Sequence, residues 1–190
     1  MAFSAKAQGD IEITAFGGYT FKNSFPIYGG SATIGEGGTF GGSLAYGIGY
    51  ETDLEFYYSR QQSTFSAFSS IDDFNGRADG TVSYWMLGGT QNFQGMDPSL
   101  YFFGSFRFGG VTFAGPNEST SEFAAGIGGG LKYFISDQIG IKISGNMLFP
   151  IMNVGGSLWF GGGGPQVGLS TWSPILQFNF NGGVFIRIMK

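Results

Sequence analysis

At 190 residues the chain has the length of one domain, and its net charge of −4 comes with 42% hydrophobic but only 12% charged residues. It has no Cys and no His, which excludes disulfides, thiolate metal sites, His-based acid–base catalysis and His-ligated metals. No basic patch supplies the footprint of nucleic-acid binding, and no run of about 18 apolar residues supplies a membrane-spanning helix.

Residues 1–9 read either as a signal remnant or as a flexible N-terminus. Ala5-x-Ala7 is the small-x-small pattern that ends a secretory signal, without the charged and apolar regions that precede one. Residues 10–190 read as a single domain of eight strands, because side chains alternate with period two and successive strand residues point to opposite faces. The first candidate, 10–21, sets Ile11, Ile13, Tyr19 and Phe21 against Glu12, Thr14 and Phe16. The second, 39–51, is the clearest: Phe40, Leu44, Tyr46, Ile48 and Tyr50 oppose Gly41, Ser43, Ala45, Gly47 and Gly49. The third, 54–61, opposes Leu54, Phe56 and Tyr58 to Glu55, Tyr57 and Ser59. The fourth, 81–93, is ambiguous, since Val82, Tyr84 and Met86 alternate with the equally apolar Trp85 and Leu87. The fifth, 100–113, and sixth, 123–134, place Phe102, Phe106, Phe108, Ile127, Leu131 and Tyr133 opposite Tyr101, Ser105, Arg107, Gly128 and Lys132. The seventh, 139–148, and eighth, 175–188, carry Ile139, Ile141, Ile143, Phe178, Phe180 and Ile186 opposite Lys142, Asn146, Asn179 and Arg187.

Strands near ten residues long match the ~9–11 needed to cross a bilayer at a tilt. Connections alternate between short turns (51–53, 94–98, 136–138) and longer Gly/Ser/Asn-rich segments (22–38, 62–80, 114–122, 150–173). One bulky oily face, one small or polar face and alternating connections predict an all-β, eight-stranded antiparallel up-and-down transmembrane β-barrel. It would have short periplasmic turns and longer extracellular loops. A lipocalin-like soluble barrel, with the bulky set inside, is the opposite reading; strand length and loop asymmetry oppose it.

Two stretches carry a family likeness: Phe123-Ala-Ala-Gly-Ile-Gly-Gly-Gly-Leu-Lys-Tyr-Phe-Ile-Ser-Asp-Gln-Ile-Gly-Ile-Lys142 and Gln177-Phe-Asn-Phe-Asn-Gly-Gly-Val-Phe-Ile-Arg-Ile188. With them the chain resembles the small OmpA/OmpX-like outer-membrane β-barrel superfamily over nearly its whole length. The resemblance implies a bacterial outer-membrane location and lipid as its surroundings, and it implies activity only weakly. Such barrels usually finish on an aromatic residue, where this chain has Ile188, Met189 and Lys190.

On this topology Glu12, Glu51, Glu55, Arg107, Lys132, Lys142 and Arg187 point inward as a lumen charge cluster. Closure of strand eight on strand one should bring Glu12 to Arg187. Charges in a narrow lumen persist only when paired, so a rigid filler network is favoured over an ion gate. Inward Phe16, Tyr57, Tyr101, Phe103, Phe134 and Phe185 would fill space left by lumen glycines, since an eight-stranded barrel is just wide enough for its side chains. Tyr19, Tyr50, Tyr58, Tyr84, Trp85 and Tyr133 are expected to form an interfacial aromatic girdle. Met152, Val154, Leu158, Trp159 and Phe160 form an apolar loop patch suited to a partner or lipid. Asp72, Asp73, Asn75 and Asp79 lack the order of a calcium loop, and Gly161–Gly164 lacks the strand–loop–helix setting of a phosphate loop. No catalytic, cofactor or metal site is expected, because Ser or Asp nucleophiles lack a base. The expected role is therefore a non-enzymatic, porin-like but largely filled envelope barrel. It would be structural or bind through its loops, including as an accessory subunit of an envelope complex. A narrow channel for small solutes is the alternative.

Overall fold

The computed structural model describes residues 9–27, 30–69, 74–116, 119–151, 157–158, 167–168 and 175–188. The strands are β1 (Ile11–Thr20), β2 (Asn23–Ile27), β3 (Gly30–Ile34), β4 (Gly37–Gly49), β5 (Thr52–Ser69) and β6 (Phe74–Gln94). They continue with β7 (Leu100–Ala114), β8 (Ser119–Phe134), β9 (Ile139–Ile151), β10 (Ser157–Leu158), β11 (Val167–Gly168) and β12 (Gln177–Ile188). Antiparallel ladders run β1–β4–β5–β6–β7–β8–β9–β12, and β12 pairs back onto β1, closing a ring of eight. Closure satisfies every ring strand on both sides and removes the edges an open sheet would expose.

The remaining strands lengthen the ring. Pairs Thr20↔Gly37 and Asn23↔Ile34 share one register, so β2 continues β1 and β3 continues β4. Between β3 and β4 the partner strand advances by one residue fewer (Ile34↔Phe65, Thr39↔Gln61), a β-bulge at Gly35–Glu36. Gly35 donates its N–H to the Thr64 carbonyl at 2.8 Å. A Cβ there would lie 2.9 Å from that same oxygen, which is why glycine occupies the bulge.

The short turns have local chemistry. Glu51 turns β4 into β5 with φ 58°, in the left-handed region. After β6, the Asp97 carboxylate accepts the Ser99 N–H at 2.8 Å, and after β8 the Ser136 hydroxyl accepts the Ile139 N–H at 3.1 Å. Such side-chain-to-backbone bonds are what Asp and Ser supply in turns.

The opposite end differs from expectation. Most of 22–38, 62–80 and 114–122 is paired strand, not loop: β5 has 18 residues and β6 has 21. At about 3.3 Å per residue β6 runs roughly 70 Å, about twice what a tilted strand needs to cross a bilayer.

Facing also changes along these strands. Near the short turns the outward side chains are Leu54, Phe56, Trp85, Leu87, Phe106, Phe108, Ile127 and Leu131, all exposed, while Glu55, Arg107 and Lys132 are buried inside. Beyond Tyr58 and Trp85 the polarity inverts. Outward positions become Arg60, Gln62, Thr64, Ser66, Arg77, Asp79, Thr112 and Ser121, and inward ones Phe65, Ala67, Val82, Val111, Phe113 and Ala124. Outward hydroxyl pairs Thr112···Ser121 (3.0 Å) and Ser24···Thr33 (2.8 Å), and the Thr64-to-Asp79 bond (3.0 Å), belong to this part. The short-turn half is thus patterned for lipid outside and the far half for water outside over an apolar core. Among the described residues of β5, Phe68, exposed near its tip, departs from this pattern.

Candidate functional site: the barrel lumen

The inward faces stack into layers. Nearest the short turns, Phe134 packs edge-on against Tyr101 (centroids 5.5 Å) and Phe185 (4.9 Å). Asn92 donates to the Asp53 carboxylate at 2.8 Å and to the Glu51 carbonyl at 3.1 Å.

The ionic layer follows. Register places Glu12 opposite Arg187 across β1 and β12, and Arg187 Nη2 stands 3.7 Å from Glu12 Oε2. Lys132 Nζ donates to Glu12 Oε1 at 2.7 Å. Glu55 gathers the other two cations. Arg107 Nε and Nη2 each reach its Oε2 at 2.8 Å, and Lys142 Nζ reaches its Oε1 at 3.2 Å and Glu12 Oε1 at 4.0 Å. Thr90 donates to Glu55 Oε2 at 3.0 Å, and Arg107 Nη1 donates to Asn146 Oδ1 at 2.9 Å. Asn146 and Asn181 both donate to Asn179 Oδ1.

Each cation also lies against an aromatic face. Arg107 is 4.5 Å from the Tyr57 centroid, Lys132 and Lys142 are 5.5 and 4.7 Å from Phe103, and Arg187 is 4.3 Å from Phe134. Ring quadrupoles attract such desolvated cations, which helps two carboxylates hold four of them.

Above this layer Phe16 stacks on Tyr57 with centroids 5.3 Å apart. Tyr84 donates its hydroxyl to Gln177, Gln177 donates to Gln61, and Gln61 and Ser63 both donate to the Gly35 carbonyl at the bulge. Beyond lies the apolar cluster of Phe25, Ile34, Phe65, Val82, Val111 and Phe113.

Six of the seven charges expected in the lumen are therefore gathered in one layer. Glu51 is not: it sits in the β4–β5 turn, half-buried, and joins none of these ion pairs. Its odd position in the turn, not on a strand, is the reason. Of the expected girdle, Tyr19, Tyr50, Trp85 and Tyr133 are exposed outward and Tyr58 is half-buried against the Trp85 ring, centroids 4.1 Å apart. Tyr84 is a correction. It points into the lumen, 2% exposed, because β6 turns Val82, Tyr84 and Met86 inward and Trp85 outward. Leu158 lies on β10, while Met152, Val154, Trp159 and Phe160 fall outside the described residues, as do Asp72 and Asp73. Thr90, which donates to Glu55, is not singled out by the sequence, whereas Asn146 and Phe103 stand on the inward faces expected of them and prove to be partners of the charges.

Chemically, the layer holds no His or Cys and offers no activated nucleophile; among the described residues no acidic cluster is arranged to hold a metal. What it does offer is a dense ion-paired cross-link of six strands, β1, β5, β7, β8, β9 and β12.

Closed ring, oily outer belt and ion-paired interior define a small eight-stranded β-barrel of the outer-membrane type. The chain is similar in fold to three solved barrels. The outer membrane protein OprG of Pseudomonas aeruginosa matches with TM-score 0.67 and 11% identity over 98% of this chain and 99% of that one. Neisserial surface protein A matches with TM-score 0.61 and 11% identity over 94% and 99%. The N-terminal barrel domain of Pseudomonas aeruginosa OprF matches with TM-score 0.56 and 17% identity over 96% and 100%. No family model and no curated protein matches the sequence.

Proposed function

We propose that this chain is a non-enzymatic integral barrel of the bacterial outer membrane, with a filled lumen, whose role is exercised by its outer surface. The observation that carries the reading is the layered lumen. An aromatic layer, an ion-paired layer and an apolar layer occupy successive levels, and the cavity lined by Thr14, Phe16, Glu55, Tyr57, Arg107 and Lys142 is about 10 Å³, the room of roughly one water. A solute does not pass that level without dismantling salt bridges. Function then falls to the hairpins above the polarity inversion. They present a rigid, polar outer wall rather than a loose loop, a form suited to contact with a partner or with an envelope complex in which the barrel is an accessory subunit. Single-channel recording of protein refolded in lipid tests this. A silent bilayer with heat-modifiable, folded protein is expected; reproducible conductance steps that change in the Arg107→Ala variant would replace this reading with the narrow channel.

A further inference from the structure

The far-end hairpins stop at different heights, and one strand edge is left without a neighbour. β5 and β6 stay paired up to Ser69↔Phe74, and β3 accompanies β5 as far as Gly30↔Ser69. On its other side β6 is paired only from Thr81, opposite Ala114, the last residue of β7. Among the described residues nothing pairs with 74–79 on the side away from β5. The chain itself explains the stop. Continued in register, β7 would set Pro116 opposite Asp79, and proline has no N–H to give to a ladder.

The aim of the backbone groups follows from the other end of β6. Asn92 donates its N–H to Glu51, on the β5 side, and Gly95 donates to Leu100, on the β7 side. The β5–β6 register is unbroken from Gln91 to Phe74. Even-numbered residues of β6 therefore turn their N–H and C=O toward β5, and odd-numbered ones turn theirs away. Residues 75, 77 and 79 present theirs at the open edge. The side chains give this edge a character. Arg77 and Asp79 are exposed on the outer face. On the inner face Val82 and Tyr84 are 0% and 2% exposed, whereas Gly80, Ala78 and Gly76 are only half-buried. An added strand meets charges outside and uncovered apolar surface inside.

We propose that the 74–79 edge of β6 takes up an extended segment of a partner protein as an added antiparallel strand. Read from its N-terminus the segment runs basic, apolar, acidic, apolar, with the basic residue opposite Asp79 and the acidic one opposite Arg77. In such strand addition main-chain bonds supply affinity and alternate side chains supply choice, and opposite charges directly across a sheet attract. The far-end segment 150–174 of this chain contains no charged residue and lacks that complement. A second copy in the same membrane runs its β6 in the same direction, so the two edges do not form an antiparallel pair. The inference rests on the outer-surface role proposed above and names the chemistry of its partner.

The test uses the whole barrel refolded in lipid and the end-blocked peptide Lys-Val-Glu-Val-Thr, with Glu-Val-Lys-Val-Thr as its charge-reversed control. In the free barrel the amides of 75, 77 and 79 should exchange fast and those of 76 and 78 slowly. The first peptide should slow exchange at 77 and 79 and bind about tenfold tighter than the control, from two attractive cross-strand pairs replaced by two repulsive ones. Arg77→Glu combined with Asp79→Lys should reverse that preference without changing the heat-dependent mobility shift. Protection of 77 and 79 in the free barrel, or equal response to both peptides, overturns the proposal. A barrel silent in the bilayer and blind to both peptides refutes the edge alone, whereas conductance steps refute the filled lumen whatever the peptides do.

Discussion

Glu55→Gln is the sharpest probe of whether the lumen is dry. The substitution keeps the side chain's length and shape and removes only the charge. Glu55 is 1% exposed and accepts from Arg107 twice at 2.8 Å, from Thr90 at 3.0 Å and from Lys142 at 3.2 Å. Without it, Arg107 loses its sole carboxylate partner in this layer, and Lys142 keeps only Glu12 at 4.0 Å. Removing one partner of a buried ion pair costs about 3–5 kcal/mol, because the partner's charge stays desolvated. Two cations are stranded here, so the upper part of that range is expected. The assay is equilibrium denaturant unfolding of barrel refolded in lipid, followed by tryptophan fluorescence and by gel mobility without boiling. An exposed pair contributes only about 0.2–1 kcal/mol. A loss inside that lower range would mean that water already bathes Glu55, and the filled-lumen argument would fail with it. The double variant Glu55→Leu with Arg107→Met checks the cause. Replacing a buried pair by apolar groups of similar size is often neutral, so it should recover part of the loss although Lys142 remains.

Tyr84→Phe leaves the Gln177 carbonyl oxygen buried without its donor; stability should fall by about 1–3 kcal/mol, measured by the same unfolding curve, with no change in lipid exposure of Trp85. Glycine position predicts tolerance. A Cβ at Gly130 would drive into the backbone carbonyl of Ile143, so Gly130→Ala should cost about 1–3 kcal/mol by overpacking. Gly104 and Gly182, on the outer face, have open space at that position, and their Ala variants should be neutral or stabilised by up to about 1 kcal/mol. The polarity inversion is testable because the chain has no Cys. Arg60→Cys should react with a membrane-impermeant thiol reagent in intact proteoliposomes, and Leu54→Cys should not; equal labelling of both would remove the boundary placed between Tyr58 and Arg60.

How much of this the sequence disclosed depends on whether the two faces of a strand differ. Where they do, as in Phe40–Tyr50 or Ile139–Met147, period two suffices to tell lipid from lumen. The register Glu12↔Arg187 followed from closure alone. In β6 both faces are apolar near residue 85, and the choice between Tyr84 and Trp85 turns on a hydroxyl that finds Gln177 inside, a partner 93 positions away. No local pattern carries that information. The far-end hairpins escaped for another reason. Their alternation is real, with Phe65 and Ala67 or Val111 and Phe113 on one face, but it has the polarity of a soluble sheet. A search for oily residues facing out therefore reads it as loop.

That inversion has a consequence for how the molecule holds together. In the lipid-embedded half, burial of side chains against lipid distinguishes little between folded and partly open barrels, so specific polar contacts must select the closed ring, and the ionic layer lies there. In the half facing water, the hydrophobic effect operates normally, and the apolar cluster from Phe25 to Phe113 lies there. Each half is closed by the interaction that its own solvent makes effective. Moving either across the boundary, by placing a Glu55-like carboxylate at Val82 for instance, should open the hairpin end while leaving the lipid-embedded ring paired. Hydrogen exchange would register this as faster amides in 61–69 and 74–83 with unchanged protection at 54–58.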